Sequence, residues 1–218
     1  MTVAEPRLAR ELPVARHDGL EPDEEWTSES IESADLTGVE ADHVELRECA
    51  LRDVRLTGAN LEQLTLIDAR FADCELSGMI ATEASMRRVE FLRCRMAGVV
   101  MSDAKLRDVR FVDCKLDDAN IRFATAEQTR FDGCSLPTAD FTGTTLTASA
   151  FFSCDLRRAI FTKATLPGAR FAGSQLEGIV GAGAFRGAVI GTDQVLPVAL
   201  GIFADLKITV TDEQASDQ

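Results

Sequence analysis

Hydrophobic residues recur at every fifth position along most of the chain. Every fifth residue from Leu36 to Leu176 is apolar, and the residue two positions before it is usually small or slim, as Ala34 and Cys134 are. An α-helix repeats its apolar positions about every 3.6 residues and a β-strand about every 2, so neither element explains this pattern. A chain that turns a corner in every repeat does explain it, because two inward side chains per repeat fill a square cross-section of four repeats.

A second period, of twenty residues, supports a coil made of four repeats. One column of apolar residues twenty apart consists of Leu51, Phe71, Phe91, Phe111, Phe131, Phe151 and Phe171. In a β-solenoid such residues stack coil on coil at about 4.8 Å. The register runs without insertion from about residue 31 to residue 190, so the sequence predicts an all-β solenoid of about 8 coils.

The repeated motif is a small residue, then Asp or Asn, then Leu or Phe, then two polar residues. Clear copies are Ala34-Asp35-Leu36-Thr37-Gly38, Ala59-Asn60-Leu61-Glu62-Gln63, Ala119-Asn120-Ile121 and Ala139-Asp140-Phe141-Thr142-Gly143. In this motif the chain resembles the pentapeptide repeat proteins. The resemblance implies a right-handed quadrilateral β-helix, whereas the periodicity alone predicts a square solenoid without fixing its hand.

Both ends of such a solenoid need a cover, because unpaired strand edges promote end-to-end association. We predict an N-terminal tail and cap over residues 1–30, the β-helix over residues 31–190, and a C-terminal cap over residues 191–218. The only tryptophan, Trp26, stands just before the first predicted coil and is the expected N-terminal plug.

The C-terminal segment predicts a short helix, then a short strand over residues 206–210, then an acidic tail. Thr192 or Asp193 is the expected N-cap of the helix. Pro197 fits only its first turn, and Gly201 is expected to loosen its end. The apolar residues of the helix are our candidate cap and dimer surface: Val195, Leu196, Ala199, Leu200, Ile202 and Phe203. Such a helix can cover the last coil and still present a face to a twofold mate, so we expect a homodimer through this end.

The chain carries a net charge of -13, much of it outside the predicted solenoid. Residues 1–30 carry -5, residues 31–190 carry -4 and residues 191–218 carry -4. An excess of acids disfavours direct binding to nucleic acid or to an anionic membrane. No apolar run near the N-terminus has the length of a signal peptide or a membrane span, so we expect a cytoplasmic protein with reduced thiols.

No constellation of residues in the sequence predicts catalysis, a metal site or a bound cofactor. Five cysteines lie twenty apart in one inward column and the sixth in another, namely Cys74, Cys94, Cys114, Cys134 and Cys154, and Cys49. Thiols arranged in a line cannot converge on one metal or pair as disulfides, so we interpret them as slim core residues. His17 and His43 have no nucleophile at a catalytic spacing and are expected at the surface.

Three sets of outward residues are candidates for surface interactions. The candidate partner patch is apolar and consists of Ile80, Val100, Phe123, Ile160 and Val180. A second apolar streak consists of Leu92, Val112 and Phe152. A basic belt around the middle coils consists of Arg87, Arg88, Arg93, Arg95, Lys105, Arg107 and Arg110. Either the belt is a solvated surface whose charges pair with Glu90, Asp103 and Asp108, or it has a binding role.

Three functions are to be weighed for a solenoid of this kind. The first, which we predict, is a non-catalytic interaction scaffold that binds a protein partner through its faces. The second is implied by the resemblance, since some pentapeptide repeat proteins mimic duplex DNA, bind DNA gyrase and protect it from quinolones. The basic belt and the absence of inserted loops argue against it. The third, a hexapeptide-repeat acyltransferase, requires a period of six and a catalytic histidine, so the sequence predicts a protein that is not an enzyme.

Overall fold

Parallel strands wound into a solenoid make up most of the molecule. A computed structural model describes residues 2–210, and within them a 12-stranded sheet follows the coil. Its strands are β1 (Val14–Ala15), β2 (Glu25–Thr27), β3 (Ser30–Glu32), β4 (Glu45–Arg47), β5 (Ala50–Arg52), β6 (Thr65–Ala72), β7 (Ser85–Leu92), β8 (Lys105–Val112), β9 (Thr125–Glu127), β10 (Arg130–Asp132), β11 (Thr145–Thr147) and β12 (Ala150–Phe152). The expected right-handed quadrilateral β-helix is confirmed, with about 7 turns.

Partners in the sheet lie twenty residues apart along most of the solenoid, so one coil has four sides of five residues. Face 1 contains the paired positions 25, 45 and onward to 165, face 2 contains 30 to 170, face 3 contains 35 to 175, and face 4 contains 40 to 180. Faces 1 and 2 carry the named strands, whereas faces 3 and 4 are joined by isolated parallel bridges. Faces 2 and 4 therefore lie on opposite sides of the solenoid.

The core is a stack of apolar layers, as the two periods predict. The aromatic column of face 2 stacks with ring centroids 4.7–5.0 Å apart and contains Phe71, Phe91, Phe111, Phe131, Phe151 and Phe171. The leucine column of face 3 is buried beside it, for example at Leu76 and Leu116. Stacked rings add to the stabilisation that the burial of apolar surface supplies.

Each corner of the coil requires a residue with a left-handed backbone. Between faces 3 and 4, glycine supplies this conformation at positions 38, 58, 78 and 98, with φ of 63–67°. Glycine adopts it without a steric cost. Between faces 1 and 2 the same conformation is adopted by Asp68 and Arg88, each with φ of 54°. Their side chains therefore point outward from a corner at which β6 and β7 continue from one face to the next.

An N-terminal arm, residues 2–12, lies along the outside of the solenoid. The Ala4 N–H donates to Asp108 Oδ1 over 3.1 Å, and the Arg7 N–H donates to Asp68 Oδ1 over 2.9 Å. After the arm, β1 pairs with β3 and covers the free strand edge of face 2. The segment expected to be a tail is therefore attached to the solenoid at several points.

Trp26 closes the N-terminal end of the core, as predicted, but from within β2. Its side chain is buried, and it pairs in register with Leu46. The His17 ring stacks on it with centroids 3.8 Å apart, and His17 Nε2 lies 2.8 Å from Glu29 Oε2. The prediction of a free surface histidine is wrong for His17, because its ring belongs to this plug, whereas His43 is exposed.

The regular register ends ten residues earlier than predicted. On face 2 the last bridge joins Arg170 to Val189, a step of nineteen residues instead of twenty. The period of five would place Gly181 and Arg186 at the next inward positions, where earlier coils have large apolar residues. In the structure Arg186 is exposed and Phe185 is buried instead. An arginine buried without a partner in an apolar core is too costly, so the chain leaves the coil here.

Helix α1, Val195–Asp205, covers the last coil after two short 3₁₀ helices, Ala182–Phe185 and Thr192–Gln194. The predicted N-cap, Thr192 or Asp193, is wrong, because both residues lie in the second 3₁₀ helix. Gln194 stands at the N-cap instead and makes no side-chain bond to α1. Its buried side-chain amide donates to the Ser174 carbonyl over 2.6 Å, which ties the start of α1 to the coil.

Close packing holds α1 to the end of the solenoid. Gly201 is buried inside the helix, and a Cβ there would lie 2.8 Å from Ala182 Cβ, so this glycine permits close approach and does not loosen the helix end. Asp205 at the last turn accepts hydrogen bonds from the N–H groups of Gly181 and Gly183, over 3.2 and 3.0 Å. Pro197 lies in the first turn, as predicted.

Two further predictions concern the C-terminal end, namely a short strand and an acidic tail. The strand predicted over residues 206–210 is absent, since these described residues form a turn and then an extended end without a strand partner. The predicted acidic tail, residues 211–218, lies outside the described residues.

Candidate interaction surfaces

Metal-binding groups, thiols and membrane-spanning helices are the features on which the sequence predictions bear first. Among residues 2–210, no group of His, Cys, Asp and Glu side chains is arranged to hold a metal ion. All six cysteines are buried and free, and the Cys114 thiol donates to the Phe91 carbonyl over 3.3 Å. Burial raises the pKa of the Cys49 thiol, which disfavours the reactive thiolate. No helix within this range has the length and hydrophobicity needed to cross a membrane.

Face 4 holds four of the five residues of the candidate partner patch. Its outward column reads, from the N-terminal side, Ile80, Val100, Asn120, Asp140, Ile160 and Val180. Phe123 is 54% exposed and lies at the corner that borders face 1, where its ring fits beside Gly143. Two polar residues therefore divide the patch into two apolar pairs, with the aromatic residue at its edge.

The second apolar streak lies on face 2 and is also interrupted. Leu92 and Val112 are half-buried neighbours in the sheet, and Asp132 follows them in the same column. Phe152 is the next residue, and the guanidinium of Arg130 covers its ring at 4.6 Å from the centroid. Through this cation–π contact, a residue of the same chain covers the outer face of the Phe152 ring.

Five of the seven residues of the basic belt pair with acids on neighbouring coils, whereas Arg87 and Lys105 have no ion pair within residues 2–210. Arg88, Arg93 and Arg95 pair with acids one coil earlier, namely Asp68, Asp73 and Glu75, and Arg107 and Arg110 pair with acids one coil later, namely Glu127 and Asp132. The predicted partners are wrong. Glu90 pairs with Arg70 over 2.8 Å, Asp108 accepts the Ala4 N–H, and Asp103 has no ion pair within residues 2–210. A belt of paired charges offers little net charge to a partner.

Unpaired acidity is concentrated at the N-terminal end of the solenoid. Residues 21–50, which contain β2 to β4, carry a net charge of -10, whereas residues 51–190 carry +1. The charge therefore changes along the axis of the solenoid, and the negative region covers about two coils. This end is a candidate surface for a basic partner.

The C-terminal helix leaves a large apolar surface uncovered. Val198 and Gly201 of α1 face the last coil, and Ile202 packs partly against the core. The other apolar residues point outward, with exposed fractions of 67% for Leu196 and 53% for Leu200. Val195 and Phe203 are also exposed, and Ala199 is half-buried.

Face 4 and α1 meet at the C-terminal end. Val180, the last residue of the face 4 column, lines an open cleft together with Leu196 and Leu200, and the cleft has a volume of about 610 Å³. The candidate dimer surface therefore meets the last residue of the candidate partner patch in one largely apolar cleft, which Glu177 and Asp193 also line. Exposed apolar regions of this kind are typical of protein interaction sites.

Protein-family models recognise the repeat along most of the chain. A model described as "pentapeptide repeat region" matches residues 64–141 and 104–180, and a model described as "pentapeptide repeats (8 copies)" matches residues 31–64. No curated protein has significant similarity to the chain.

Two solved structures share the fold. HetL, a pentapeptide repeat protein involved in heterocyst differentiation regulation from the cyanobacterium Nostoc sp. strain PCC 7120, is 18% identical with a TM-score of 0.50, over 72% of this chain and 74% of that chain. A trypsin-treated variant of QnrB1, a plasmid-mediated fluoroquinolone resistance protein, is 19% identical with a TM-score of 0.51, over 88% of this chain and 99% of that chain. At this level of identity the likeness is one of fold.

Proposed function

The chain belongs to the pentapeptide repeat family, and we propose that it is a non-catalytic, cytoplasmic scaffold that pairs with a second copy through α1 and binds a protein partner on face 4. Proteins of this family are generally scaffolds or interaction proteins without catalysis. The observation that carries the proposal is the exposed apolar side of α1, which is continuous with Val180 of face 4.

A second copy is the occupant that best fits the apolar side of α1. A twofold axis beside the helix would bring Leu196 and Leu200 of one copy against the same residues of the other, which is the self-complementary arrangement of a closed dimer. Because α1 lies at one end of the solenoid, such a dimer is a longer rod. Both copies then keep Ile80 and Val100 of face 4, which lie away from α1, accessible to a partner.

Charge placed on the apolar side of α1 is expected to separate the dimer. The double substitution Leu196→Asp and Leu200→Asp would weaken association about 100-fold or more, since four buried leucines of the dimer contribute roughly 1.5–3 kcal/mol each. Light scattering after gel filtration should give about twice 23.7 kDa for the wild type and 23.7 kDa for the double variant.

The matched control for this experiment is Phe123→Asp, which places the same charge on an exposed apolar residue away from α1 and should leave the mass unchanged. A wild-type mass of 23.7 kDa at high micromolar concentration would contradict dimerisation. The circular dichroism of the double variant should match that of the wild type, because both leucines are outside the core.

A second candidate function is DNA mimicry toward DNA gyrase, and the charge of -10 over residues 21–50 is the observation that favours it. The near-neutral charge of residues 51–190 favours the scaffold, because a mimic of duplex DNA needs negative charge along the whole binding surface. A gyrase supercoiling assay, with and without a quinolone, separates the two functions.

If the acidic end acts on gyrase, then Glu32→Gln with Asp42→Asn should weaken the effect more than Asp103→Asn does at the middle of the solenoid, since all three residues are exposed. No effect of the wild-type protein on supercoiling or on quinolone inhibition at micromolar concentration would contradict DNA mimicry and leave the scaffold.

A further inference from the structure

The N-terminal arm follows one corner of the solenoid in an extended conformation. Asp68, Arg88 and Asp108 form the corner column between faces 1 and 2, and the arm bonds to the first and the last of them. The two carboxylates are two coils apart, or about 9.6 Å at the usual strand spacing. The three residues from Ala4 to Arg7 span about 10 Å when extended, so the backbone of the arm fits this spacing.

The corner under the arm is covered, unlike equivalent corners elsewhere. Asp68 is 5% exposed and Arg88 is 9% exposed. Glu48 holds the same corner position one coil earlier and is exposed, as is Asp73 at the next corner of the same coil. Arg88 Nε donates to Asp68 Oδ1 over 2.6 Å, so the ion pair is fixed in place beneath the arm.

The carboxylate of Asp68 is held ionised and directed toward the arm. Burial raises its pKa, but the hydrogen bonds from Arg88 and from the Arg7 N–H, together with the Arg7 guanidinium, outweigh burial and lower its pKa below the ordinary value. An ionised acceptor makes a stronger hydrogen bond to a backbone N–H than a neutral one does. Asp68 is therefore a strong acceptor for a backbone N–H group of an extended segment.

Three long strands continue through this corner, although its residues have the same left-handed backbone as those of the other corners. Strands β6, β7 and β8 each run for 8 residues across faces 1 and 2, whereas the other named strands are at most 3 residues long. The start of the arm lies over an open cleft of about 300 Å³, which residues 2–5 line together with Glu90, Arg110 and Arg130. The arm is therefore laid on the surface and is not interleaved with the core.

We propose that this corner is a binding site for an extended peptide, that the arm occupies it in cis, and that an extended segment of a protein partner can replace the arm. Recognition rests on two backbone N–H groups, directed at Asp108 and Asp68. The site lies away from α1 and does not include face 4, so this inference is independent of the proposed dimer.

The arm competes with an incoming peptide through its high local concentration. A short tether gives an effective concentration of roughly 1 mM. A peptide that binds the free site with a dissociation constant of about 100 µM would then bind about tenfold more weakly while the arm is present. Release of the arm should therefore increase the affinity of the site for the peptide about tenfold.

Proline substitutions can release the arm without changing the solenoid. Ala4→Pro with Arg7→Pro removes the two N–H donors to Asp108 and Asp68, in a full-length chain. The matched control is Glu5→Pro with Ala9→Pro, which places two prolines in the same arm at positions whose N–H groups make no hydrogen bond within residues 2–210. Trypsin cleavage after Arg10 should become about tenfold faster in the first variant and change little in the control.

The binding measurement uses a synthetic peptide of residues 2–12 with a fluorescent dye at its C-terminus. Fluorescence anisotropy should show about tenfold tighter binding to the Ala4→Pro, Arg7→Pro protein than to the wild type or to the control. Adding Asp68→Asn and Asp108→Asn to the released protein should abolish that gain, while adding Asp113→Asn, at an exposed corner elsewhere, should preserve it.

Two results would overturn the proposal. If trypsin cleaves after Arg10 at the same rate in all proteins, the two hydrogen bonds do not hold the arm. If cleavage accelerates but the peptide binds no better, the uncovered corner is not a peptide site. Neither result bears on the mass of the dimer, so failure here and failure of the proposed function are distinguishable.

Discussion

Replacement of Phe111 by alanine should lower the free energy of unfolding by about 3–5 kcal/mol. The Phe111 ring is fully buried and stacks between Phe91, at 5.0 Å, and Phe131, at 4.7 Å between centroids. Its loss leaves a cavity that the neighbouring coils cannot close, because each coil is held at the strand spacing by its backbone hydrogen bonds. Urea unfolding followed by circular dichroism measures the change.

The control for this substitution is Phe123→Ala, which removes the same side chain from an outward corner position. Phe123 is 54% exposed, so its loss should change the free energy of unfolding by no more than about 0.5 kcal/mol. Equal effects at Phe111 and Phe123 would contradict the assignment of one aromatic column to the core and the other residue to the surface. The comparison therefore tests the inward phase of the five-residue repeat directly.

Gly181→Ala should cost about 2–4 kcal/mol and detach the C-terminal cap. Gly181 has a φ of 79°, and a Cβ there would lie 2.5 Å from the backbone nitrogen of Thr162. Backbone atoms of a packed coil cannot move aside as a flexible side chain can. The substitution would therefore push the start of the cap away from the last coil, and the strand edges of that coil would be exposed.

Gly187→Ala separates the two causes of this cost. Gly187 has a φ of 81°, but a Cβ there would meet no atom within 4 Å. It should therefore cost only about 1 kcal/mol, from the left-handed backbone alone. Urea unfolding gives the two energies, and light scattering should detect larger assemblies only for Gly181→Ala. If both substitutions cost the same, the close contact with Thr162 does not hold the cap.

The inward columns could be predicted from the sequence because each is repeated many times at fixed spacing. A core side chain at Phe111 is implied by its position in a series, and the structure places it there. The break of the register was also visible, since the period of five places Arg186 at an inward position, where an unpaired charge cannot be buried. The five-residue period alone therefore predicts a solenoid that is ten residues too long, because it does not consider which residue occupies each inward position.

The ion pairs of the basic belt show what sequence proximity misses. Arg88 and Arg93 lie near Glu90 in sequence but bind Asp68 and Asp73, each twenty residues earlier. Neighbours in a solenoid are set by the length of a coil, so these pairs have the same spacing of twenty that identified the core. The same rule applied to charged residues would have predicted them.

The caps and the arm could not be predicted from the repeat, because their contacts are made once. Nothing in the period relates Ala4 to Asp108, or Gly201 to Ala182. Segments of this kind acquire their positions from the surface that they cover. The outward patches have the same limitation, since Asn120 and Asp140 divide face 4 without disturbing any inward position.

Every coil between residues 25 and 180 has the same length, so this part of the chain is divided into units of twenty residues. Loss or duplication of twenty residues would change the length of the rod by about 4.8 Å and leave every face in alignment. Loss of ten residues would instead turn the faces of the distal half to the opposite side of the rod. The arm restricts where this can happen, because it measures the distance from Asp68 to Asp108 with its own backbone. Length can therefore vary freely only beyond residue 110, between the arm and the cap.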